Sequence, residues 1–296
     1  MKMKRSEKLG MFTGLVVGVL LLLISVFMIF QTTCKVWGAE KPANATQQGI
    51  DVSSHQGKID WEQVKNSALA DYAIIRCGYG VNQTDKDDKY WDYNSSECER
   101  LGIPYGTYLY SGADTTAKAK SEAEHVVRLL QGKNLTYPIY YDMEADMLNQ
   151  LSSTQIGNIA KTFLNTMESY GYKNVAVYSN KYLFETKLTA SVFSDYPKWI
   201  AQHSNKCTYQ GSYHMWQYST QGVIPGISEK VDLNYKIGNW TYAGYSSAKK
   251  TVVVKPKATT IKSLRKSGKK AVKITYKKVS GVSGYQIYIC LLYTSP

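Results

Sequence analysis

The segment YPIYYDME (residues 137–144) is followed by a long helical pattern, SSTQIGNIAKTFLNTMESYGY (residues 152–172), and by a second apolar run, NVAVYSN (residues 174–180). The first and third segments are short, rich in Tyr, Ile and Val, and bounded by Pro, Asn or Asp, which is typical of β-strands. In the middle segment apolar side chains recur every three or four residues from Ile156 to Met167, and Gly171 follows as a helix stop. The order strand, helix, strand predicts neighbouring parallel strands.

Runs of the same kind lie on both sides of this unit, and together they predict a closed barrel. The eight β candidates are GIDVSS (49–54), YAIIRCGYG (72–80), IPYGTYLYS (103–111), YPIYYDME (137–144), NVAVYSN (174–180), KWIAQHS (198–204), YHMWQYS (213–219) and KVDLNYK (230–236). Helix-like stretches follow the first five, for example residues 117–133, whereas the last three lie close together. Eight strands close a barrel, so residues 49–240 predict an α/β, TIM-like (β/α)5β3 barrel. An open doubly wound sheet is the alternative, but GIDVSSHQG lacks its Gly-rich phosphate turn.

The two ends of the chain differ from this middle part. Residues 1–10 are basic, and residues 11–30 contain no charge, so as a helix they rise about 30 Å, the thickness of a membrane core. We expect an uncleaved transmembrane anchor with the rest of the chain outside the cell. A cleaved signal peptide, which would give a secreted protein, is the alternative. Its small-residue site would be Trp37-Gly38-Ala39, where Trp37 is too bulky.

Residues 31–48 and 241–260 are expected to be linkers. Residues 261–296 resemble the start of a fibronectin type III-like module, too short for the seven strands of that sandwich. Residues 290–296 (CLLYTSP) match the translated end of a sequencing transposon, so we expect them to be derived from an adaptor.

The charge of the chain is concentrated at its ends. The net charge is +4 over residues 1–46, −3 over residues 47–240 and +12 over residues 241–296. The overall basic balance therefore does not indicate a nucleic-acid-binding protein. Outside a cell, a basic tail is suited to anionic wall polymers or lipid headgroups, although a merely solvated surface is an equal alternative.

The spacing of the five cysteines along the sequence indicates neither a disulfide framework nor a metal site. Cys77 and Cys98 could pair in an oxidising compartment, but we expect two separately buried thiols.

The acidic residues supply the strongest chemical signal. Asp142 and Glu144 are two residues apart at the end of an apolar strand, so their side chains point to the same side, at the rim where barrel active sites lie. Asp51 in the first strand and Asp232 in the last are expected to face the same mouth, because these strands are neighbours in a closed barrel. Mutual repulsion should keep one carboxyl protonated, as a general acid requires. Such a cluster favours glycoside hydrolysis.

A metal site is the weaker interpretation of the same carboxylates, because no His accompanies them at ligand spacing, and we expect no metal and no cofactor. Flat aromatic side chains near the strand ends are candidates for stacking on sugar rings, and a neighbouring amide could bind a sugar hydroxyl or acetamide. These candidate substrate-binding residues are Tyr108, Trp199, Trp216, Gln217 and Tyr218.

The combination GIDVSSHQGKIDW, YAIIRCGYG, IPYGTYLYS, YPIYYDME, WQYS and VDLN, in this order and spacing, resembles glycoside hydrolase family 25, the N-acetylmuramidase lysozymes. The resemblance covers residues 49–240. It implies a barrel of five β/α units and three final strands, and cleavage of the β-1,4 bond between N-acetylmuramic acid and N-acetylglucosamine in peptidoglycan.

By position, the resemblance gives Glu144 the role of catalytic acid and Asp142 that of partner carboxylate, with Asp51 and Asp232 as the remaining acids. This sequence departs from the family at residues 109–110 (Leu-Tyr, where a His-Phe pair is usual) and 202–203 (Gln-His, where an Arg-Tyr-like pair is usual). These departures leave details of sugar binding open, and the choice between Asp142 and the substrate's acetamido group as nucleophile is also open. A non-catalytic wall-binding protein on the same barrel is the alternative function, but it should have lost one of the four acids.

Overall fold

The computed structural model describes residues 39–240, 259–267 and 272–277. The chain divides into two compact units, Met1–Ala248 and Lys249–Pro296. The first unit contains the barrel and the second contains a strand pair.

Eight strands close the barrel in sequence order. They are β1 (Ala45–Val52), β2 (Tyr72–Tyr79), β3 (Tyr105–Tyr110), β4 (Ile139–Asp142), β5 (Val175–Asn180), β6 (Lys198–Ala201), β7 (Met215–Gly222) and β8 (Val231–Ile237). Neighbours from β1 to β7 are parallel, whereas β8 is antiparallel to both β7 and β1. The predicted eight-stranded barrel with bare final strands is confirmed. A short β7–β8 connection suffices because antiparallel neighbours need no crossover.

Helices cover the outside of the barrel. They are α1 (Trp61–Ser67), α2 (Trp91–Leu101), α3 (Thr116–Leu129), α4 (Ser153–Ser169), α5 (Lys181–Thr186) and α6 (Val192–Asp195). Side chains of Asp60, Thr115, Ser152 and Asn180 accept hydrogen bonds from the first turns of α1, α3, α4 and α5, so each of these helices begins at a capping residue. The predicted apolar stripe of α4, including Ile156 and Met167, is buried.

The side chains of the strands form two packing layers. Those facing outward pack against the helices, whereas those facing inward form an aromatic plug in the lower barrel. The plug includes a stacked pair, Tyr72 and Tyr137, with ring centroids 4.4 Å apart, and Trp199, whose ring centroid lies 4.9 Å from that of Tyr140. These rings fill this part of the interior, and buried polar side chains such as Asp51, Asp142 and Gln217 lie above them at the mouth, at the carboxyl ends of the parallel strands.

The second unit shows one antiparallel pair in its described residues, β9 (Ile261–Lys266) and β10 (Val272–Tyr276). Most of the other residues predicted to form a fibronectin type III-like module (261–296) lie outside the described residues, as does the predicted anchor at residues 11–30. Within residues 39–240, 259–267 and 272–277, no helix combines the length and apolarity that crossing a membrane requires.

Cys77 and Cys98 are buried free thiols, as the sequence predicted. Burial raises the pKa of Cys77 to about 12. Cys77 in β2 and Cys98 on α2 are therefore packing residues.

Candidate active site

Four carboxyl groups meet at the mouth of the barrel. Asp142 is the last residue of β4, and Glu144 follows two positions later. Asp51 near the end of β1 is the register partner of Asp232 at the start of β8. Because β8 runs antiparallel to β1, its first residues lie at the same end of the barrel as the last residues of β1. The structure therefore brings together the four acids that the sequence singled out.

Burial raises the pKa of all four groups, and the charges of neighbouring acids raise it further for Asp142, Glu144 and Asp232. Burial raises the pKa of Asp51 to about 6, opposed by hydrogen bonds from Asn234 and Gln217. Burial, with the charges of Asp51 and Glu144, raises the pKa of Asp232 to about 8. At neutral pH the mouth consequently carries less negative charge than four free carboxylates would.

Asp142 and Glu144 differ in their access to a substrate. Asp142 is 3% exposed, and its Oδ1 atom is buried without a hydrogen-bond partner. Its pKa is raised well above the ordinary value by burial and by the charges of Glu144 and Asp51, while Arg76 opposes the shift. Glu144 is partly exposed, and its pKa is raised by burial and then by the charge of Asp51. Glu144 thus combines a raised pKa with partial exposure at the mouth.

Gln217 joins the acids of β1 and β8. Its Nε2 donates to Asp51 Oδ2 at 3.0 Å and to Asp232 Oδ2 at 3.2 Å. Its Oε1 accepts from Tyr178 Oη and lies 3.0 Å from His203 Nε2. The prediction that Gln217 binds sugar is corrected, because the side chain is buried and both ends of its amide are engaged within the protein.

Trp199 is likewise a supporting residue and not a stacking surface. Its indole Nε1 donates to Asn234 Oδ1 at 2.8 Å, and Asn234 Nδ2 donates to Asp51 Oδ2 at 2.8 Å. The ring is 1% exposed and packs against Tyr178 at a centroid distance of 4.4 Å. The predicted sugar contact of Trp199 is therefore replaced by a hydrogen-bonded relay that fixes Asp51.

Trp216 and Tyr218 lie in the layer outside the barrel, so their prediction as sugar-binding residues is also corrected. Strand alternation turns Gln217 inward and these two neighbours outward, where the Tyr218 ring stacks on Tyr235 at 4.3 Å. Tyr108 does face the interior, with its ring edge against Trp199 at 6.3 Å, and it remains partly exposed. Of the five predicted substrate-binding residues, Tyr108 alone has a position compatible with that role.

Sequence reasoning missed several residues of this site, among them Arg76. Its Nε lies 2.9 Å from Oδ2 of the buried Asp88, and Nη2 donates to Ser54 Oγ at 2.8 Å. Arg76 is the register partner of Tyr108 and faces the interior near Asp142. The other missed residues are Tyr178, His203 and Asn234. Arg76, Tyr178 and Asn234 occupy inward positions of predicted strands, so reading every second residue of each strand would have identified them.

Comparisons with known proteins agree with this geometry. The sequence model described as "Glycosyl hydrolases family 25" matches residues 50–227. The autolytic lysozyme of Clostridium acetobutylicum is 30% identical over 188 residues, which cover 63% of this chain and 55% of that protein. The chain thus spans little more than half the length of this relative.

Several solved structures share the fold. The modular autolysin LytC of Streptococcus pneumoniae is 33% identical, with a TM-score of 0.59, and the match covers 64% of this chain but 46% of that one. LytC has also been solved in complex with a synthetic peptidoglycan ligand. A family 25 glycosyl hydrolase of Bacillus anthracis has a TM-score of 0.59 over 68% of this chain and 94% of that one, and its 21% identity supports the fold alone.

The family match extends over more than half of the chain and includes three of the four acids, Asp51, Asp142 and Glu144. Asp232 lies just beyond it, on the strand that closes the same barrel. The family prediction made from the sequence is confirmed, and the chain belongs to glycosyl hydrolases family 25.

Proposed function

We propose that the barrel is a lysozyme-type muramidase that hydrolyses the β-1,4 bond between N-acetylmuramic acid and N-acetylglucosamine in bacterial peptidoglycan. The observation that carries the proposal is the partly exposed Glu144, whose pKa is raised beside three further carboxyl groups at an open barrel mouth. Membership of family 25 and the likeness to an autolytic lysozyme support the same activity.

Glu144 is the general acid of this proposal. Cleavage of a glycosidic bond requires a proton on the leaving oxygen and a negative group near the oxocarbenium-like carbon. A carboxyl whose pKa is raised retains its proton to a higher pH than an ordinary glutamate does, and Glu144 is partly exposed whereas Asp142 and Asp51 are almost fully buried. Glu144 therefore supplies the proton, and the charge of the more buried Asp51 raises its pKa.

Asp142 acts best by orienting the substrate's 2-acetamido group. Its pKa is raised well above the ordinary value by burial and by the neighbouring carboxyl groups, which favours the neutral form of the carboxyl in the resting site. A buried carboxyl in its neutral form does not attack carbon, but its carbonyl oxygen can accept a hydrogen bond from the acetamido N–H, which leaves the acetamido oxygen free to react. The acetamido oxygen then serves as the nucleophile, a route established for some two-carboxylate glycosidases.

The activity is tested by mass spectrometry of the fragments released from purified peptidoglycan. We expect N-acetylmuramic acid at every new reducing end after digestion with the full chain. Fragments ending in N-acetylglucosamine would contradict the proposed bond, and release of free stem peptides would indicate an amidase.

We further propose that residues 11–30 hold the protein in the cell membrane with the barrel outside, which suits remodelling of the cell's own wall. The support is the run of 20 uncharged residues after a basic segment. Residues 241–296, including the fibronectin type III-like piece, would meet anionic wall polymers through their net charge of +12.

The anchor makes a specific prediction for the mature protein. N-terminal sequencing of the protein from the membrane fraction should read from the first residues of the chain. A sequence beginning at Ala39 or Glu40 would show cleavage and a secreted enzyme.

A further inference from the structure

Two tyrosine side chains lie exposed at the barrel mouth next to the acidic cluster. Tyr79, the last residue of β2, is 43% exposed, and Tyr110, the last residue of β3, is 36% exposed. Tyr79 is the register partner of Tyr110, and Tyr110 is the register partner of Asp142. Because neighbouring strands lie about 4.8 Å apart, the backbones of Tyr110 and Tyr79 lie one and two strand spacings, about 5 and 10 Å, to the side of Asp142.

A bulge in β2 gives Tyr79 this direction. Arg76 pairs with Tyr108, but Gly78 pairs with the next residue, Leu109, so β2 has one extra residue at this point. With regular alternation from the inward Arg76, the side chain of Tyr79 would point toward the helices. Bulges redirect side chains in this way and occur often beside active sites.

The bulge depends on a glycine. A Cβ atom at Gly78 would lie 2.8 Å from the carbonyl oxygen of Lys86 and 2.9 Å from the ring of His125. Any side chain at residue 78 would therefore displace the segment that carries Lys86. The bulge therefore requires the backbone at Gly78 to lie close to the backbone at Lys86.

Lys86 adds a positive charge to the tyrosine pair. Its Nζ lies 5.4 Å from the centroid of the Tyr79 ring. The next residue, Asp87, forms a β-bridge with Gly78 and bonds to Arg128 and, at 2.7 Å, to His125 Nε2. Asp88 then pairs with Arg76. Because these contacts fix Asp87 and Asp88, the adjoining backbone keeps the ammonium group of Lys86 beside Tyr79.

We propose that Tyr79, Tyr110 and Lys86 form a subsite for a muramyl residue whose lactyl carboxylate is free. The subsite rests on the proposed muramidase function and adds a preference within it. Exposed aromatic faces stack on a pyranose ring, and the ammonium pairs with a carboxylate on that ring. Of the two sugars that alternate in peptidoglycan, N-acetylmuramic acid alone has such a group, and it is free where the stem peptide has been removed. The enzyme would therefore favour glycan from which an amidase has already removed the peptides.

Binding measurements on the full chain with Glu144→Gln test the subsite without turnover. The ligands are a peptide-free tetrasaccharide of alternating N-acetylglucosamine and N-acetylmuramic acid and the same tetrasaccharide with its lactyl groups converted to amides. By isothermal titration we expect the carboxylate form to bind about 3- to 5-fold more tightly, as an exposed ion pair provides. Lys86→Met should abolish this ratio.

Two further variants test the aromatic part. Tyr79→Ala should weaken binding of both ligands roughly tenfold, from the loss of buried ring surface, whereas Tyr79→Phe should bind like the parent. Lys58→Met is the matched control, because Lys58 lies 5.3 Å from the centroid of Tyr93, which is on α2 in the outer layer. It should change neither affinity.

The subsite is wrong if Lys86→Met keeps the preference for the carboxylate form or if Tyr79→Ala binds both ligands as the parent does. Circular dichroism of each variant confirms that the fold is retained. The proposed hydrolysis is judged separately, by the reducing ends that the unmodified chain releases from walls. Absence of muramic acid ends would refute the hydrolysis, while the affinity ratios would still decide the subsite.

Discussion

At the scale of single residues, the site is a set of carboxyl groups distinguished by their surroundings. Asp51 is fixed by two amide donors, Asn234 and Gln217, which partly offset its burial. Asp142 is buried with one oxygen unpartnered, and Glu144 is open to the mouth. Similar side chains therefore differ in pKa and accessibility, because hydrogen bonds, burial and exposure are distributed unequally among them.

Glu144→Gln should remove wall hydrolysis and leave the fold unchanged. The amide keeps the shape of the side chain but carries no transferable acidic proton, and general acid catalysis contributes about 10²–10⁴-fold. The release of reducing ends measures the loss, and thermal melting followed by circular dichroism measures the fold. Turnover close to that of the unmodified chain would show that another group is the acid.

Asp232→Asn should stabilise the protein at alkaline pH. The pKa of Asp232 is raised to about 8 from an ordinary value of 3.8, so the folded form retains a proton that the unfolded chain has lost. The stability that depends on protonated Asp232 is fully present below the pKa of this residue in the unfolded chain. It is lost as the pH rises through the pKa of Asp232 in the folded protein.

The asparagine variant does not titrate, so its unfolding free energy should exceed that of the unmodified chain by about 2 kcal/mol at pH 8 to 9. Near pH 4 the two proteins should differ little. Urea unfolding at both pH values, with the exposed Asp195→Asn as a control, gives the comparison. An equal difference at both pH values would contradict the titration of Asp232.

At the scale of elements, the helix patterns predicted which face is apolar but not which polar residues lie within it. In α3 the sequence placed Ala119, Ala123 and Val126 on the buried stripe, and the structure agrees. Glu122 and His125 are also fully buried there, although in the sequence they belong to an ordinary charged helix pattern. Their partners come from distant strands and loops, which local periodicity does not specify.

Glu122 docks α3 onto the ends of β3 and β4. Its carboxylate accepts hydrogen bonds from Tyr141 Oη at 2.6 Å, Ser111 Oγ at 2.9 Å and the backbone N–H of Gly112 at 2.8 Å. The backbone N–H of Ser111 in turn donates to the carbonyl of Asp142 at 2.9 Å. The outer helix therefore supports the strand end that carries Asp142.

Glu122→Ala should destabilise the fold by about 3 kcal/mol, because three buried donors lose their acceptor. Lys118→Ala, at an exposed site on the same helix, is the control and should change the unfolding free energy by less than about 0.5 kcal/mol. Urea denaturation of both variants measures the difference. If Glu122→Ala lost no more unfolding free energy than the control, the hydrogen bonds of Glu122 would not stabilise the packing of α3 on β3 and β4.

At the scale of the whole molecule, the strand count and order predicted the barrel and the meeting of its acids, because strand ends in a closed sheet have a fixed common edge. The same reasoning did not predict the roles of Trp199, Trp216 and Gln217. Those roles depend on which face of the strand each side chain occupies and on which group forms its hydrogen bond. In β7 a register shift follows Gln217, and contacts across the sheet settle the direction of each residue.

The last prediction separates the barrel from the basic tail. Trp240 closes the described part of the barrel unit, where its indole Nε1 donates to the carbonyl of His214 at 3.2 Å and its ring lies 6.0 Å from that of Tyr137. A chain ending at Trp240 keeps these contacts and all four acids while losing twelve positive charges. It should therefore hydrolyse soluble peptide-free glycan at the same rate as the full chain.

Binding to intact anionic walls should distinguish the two chains. The shortened chain should sediment less with purified walls at low salt. This difference should shrink toward 1 M salt, where electrostatic screening shortens to about 3 Å. Walls stripped of their anionic polymers are the control and should bind both chains equally. Equal sedimentation at low salt would show that the tail contributes no electrostatic attachment. Slower hydrolysis of soluble glycan by the shortened chain would show that the tail also supports the barrel itself.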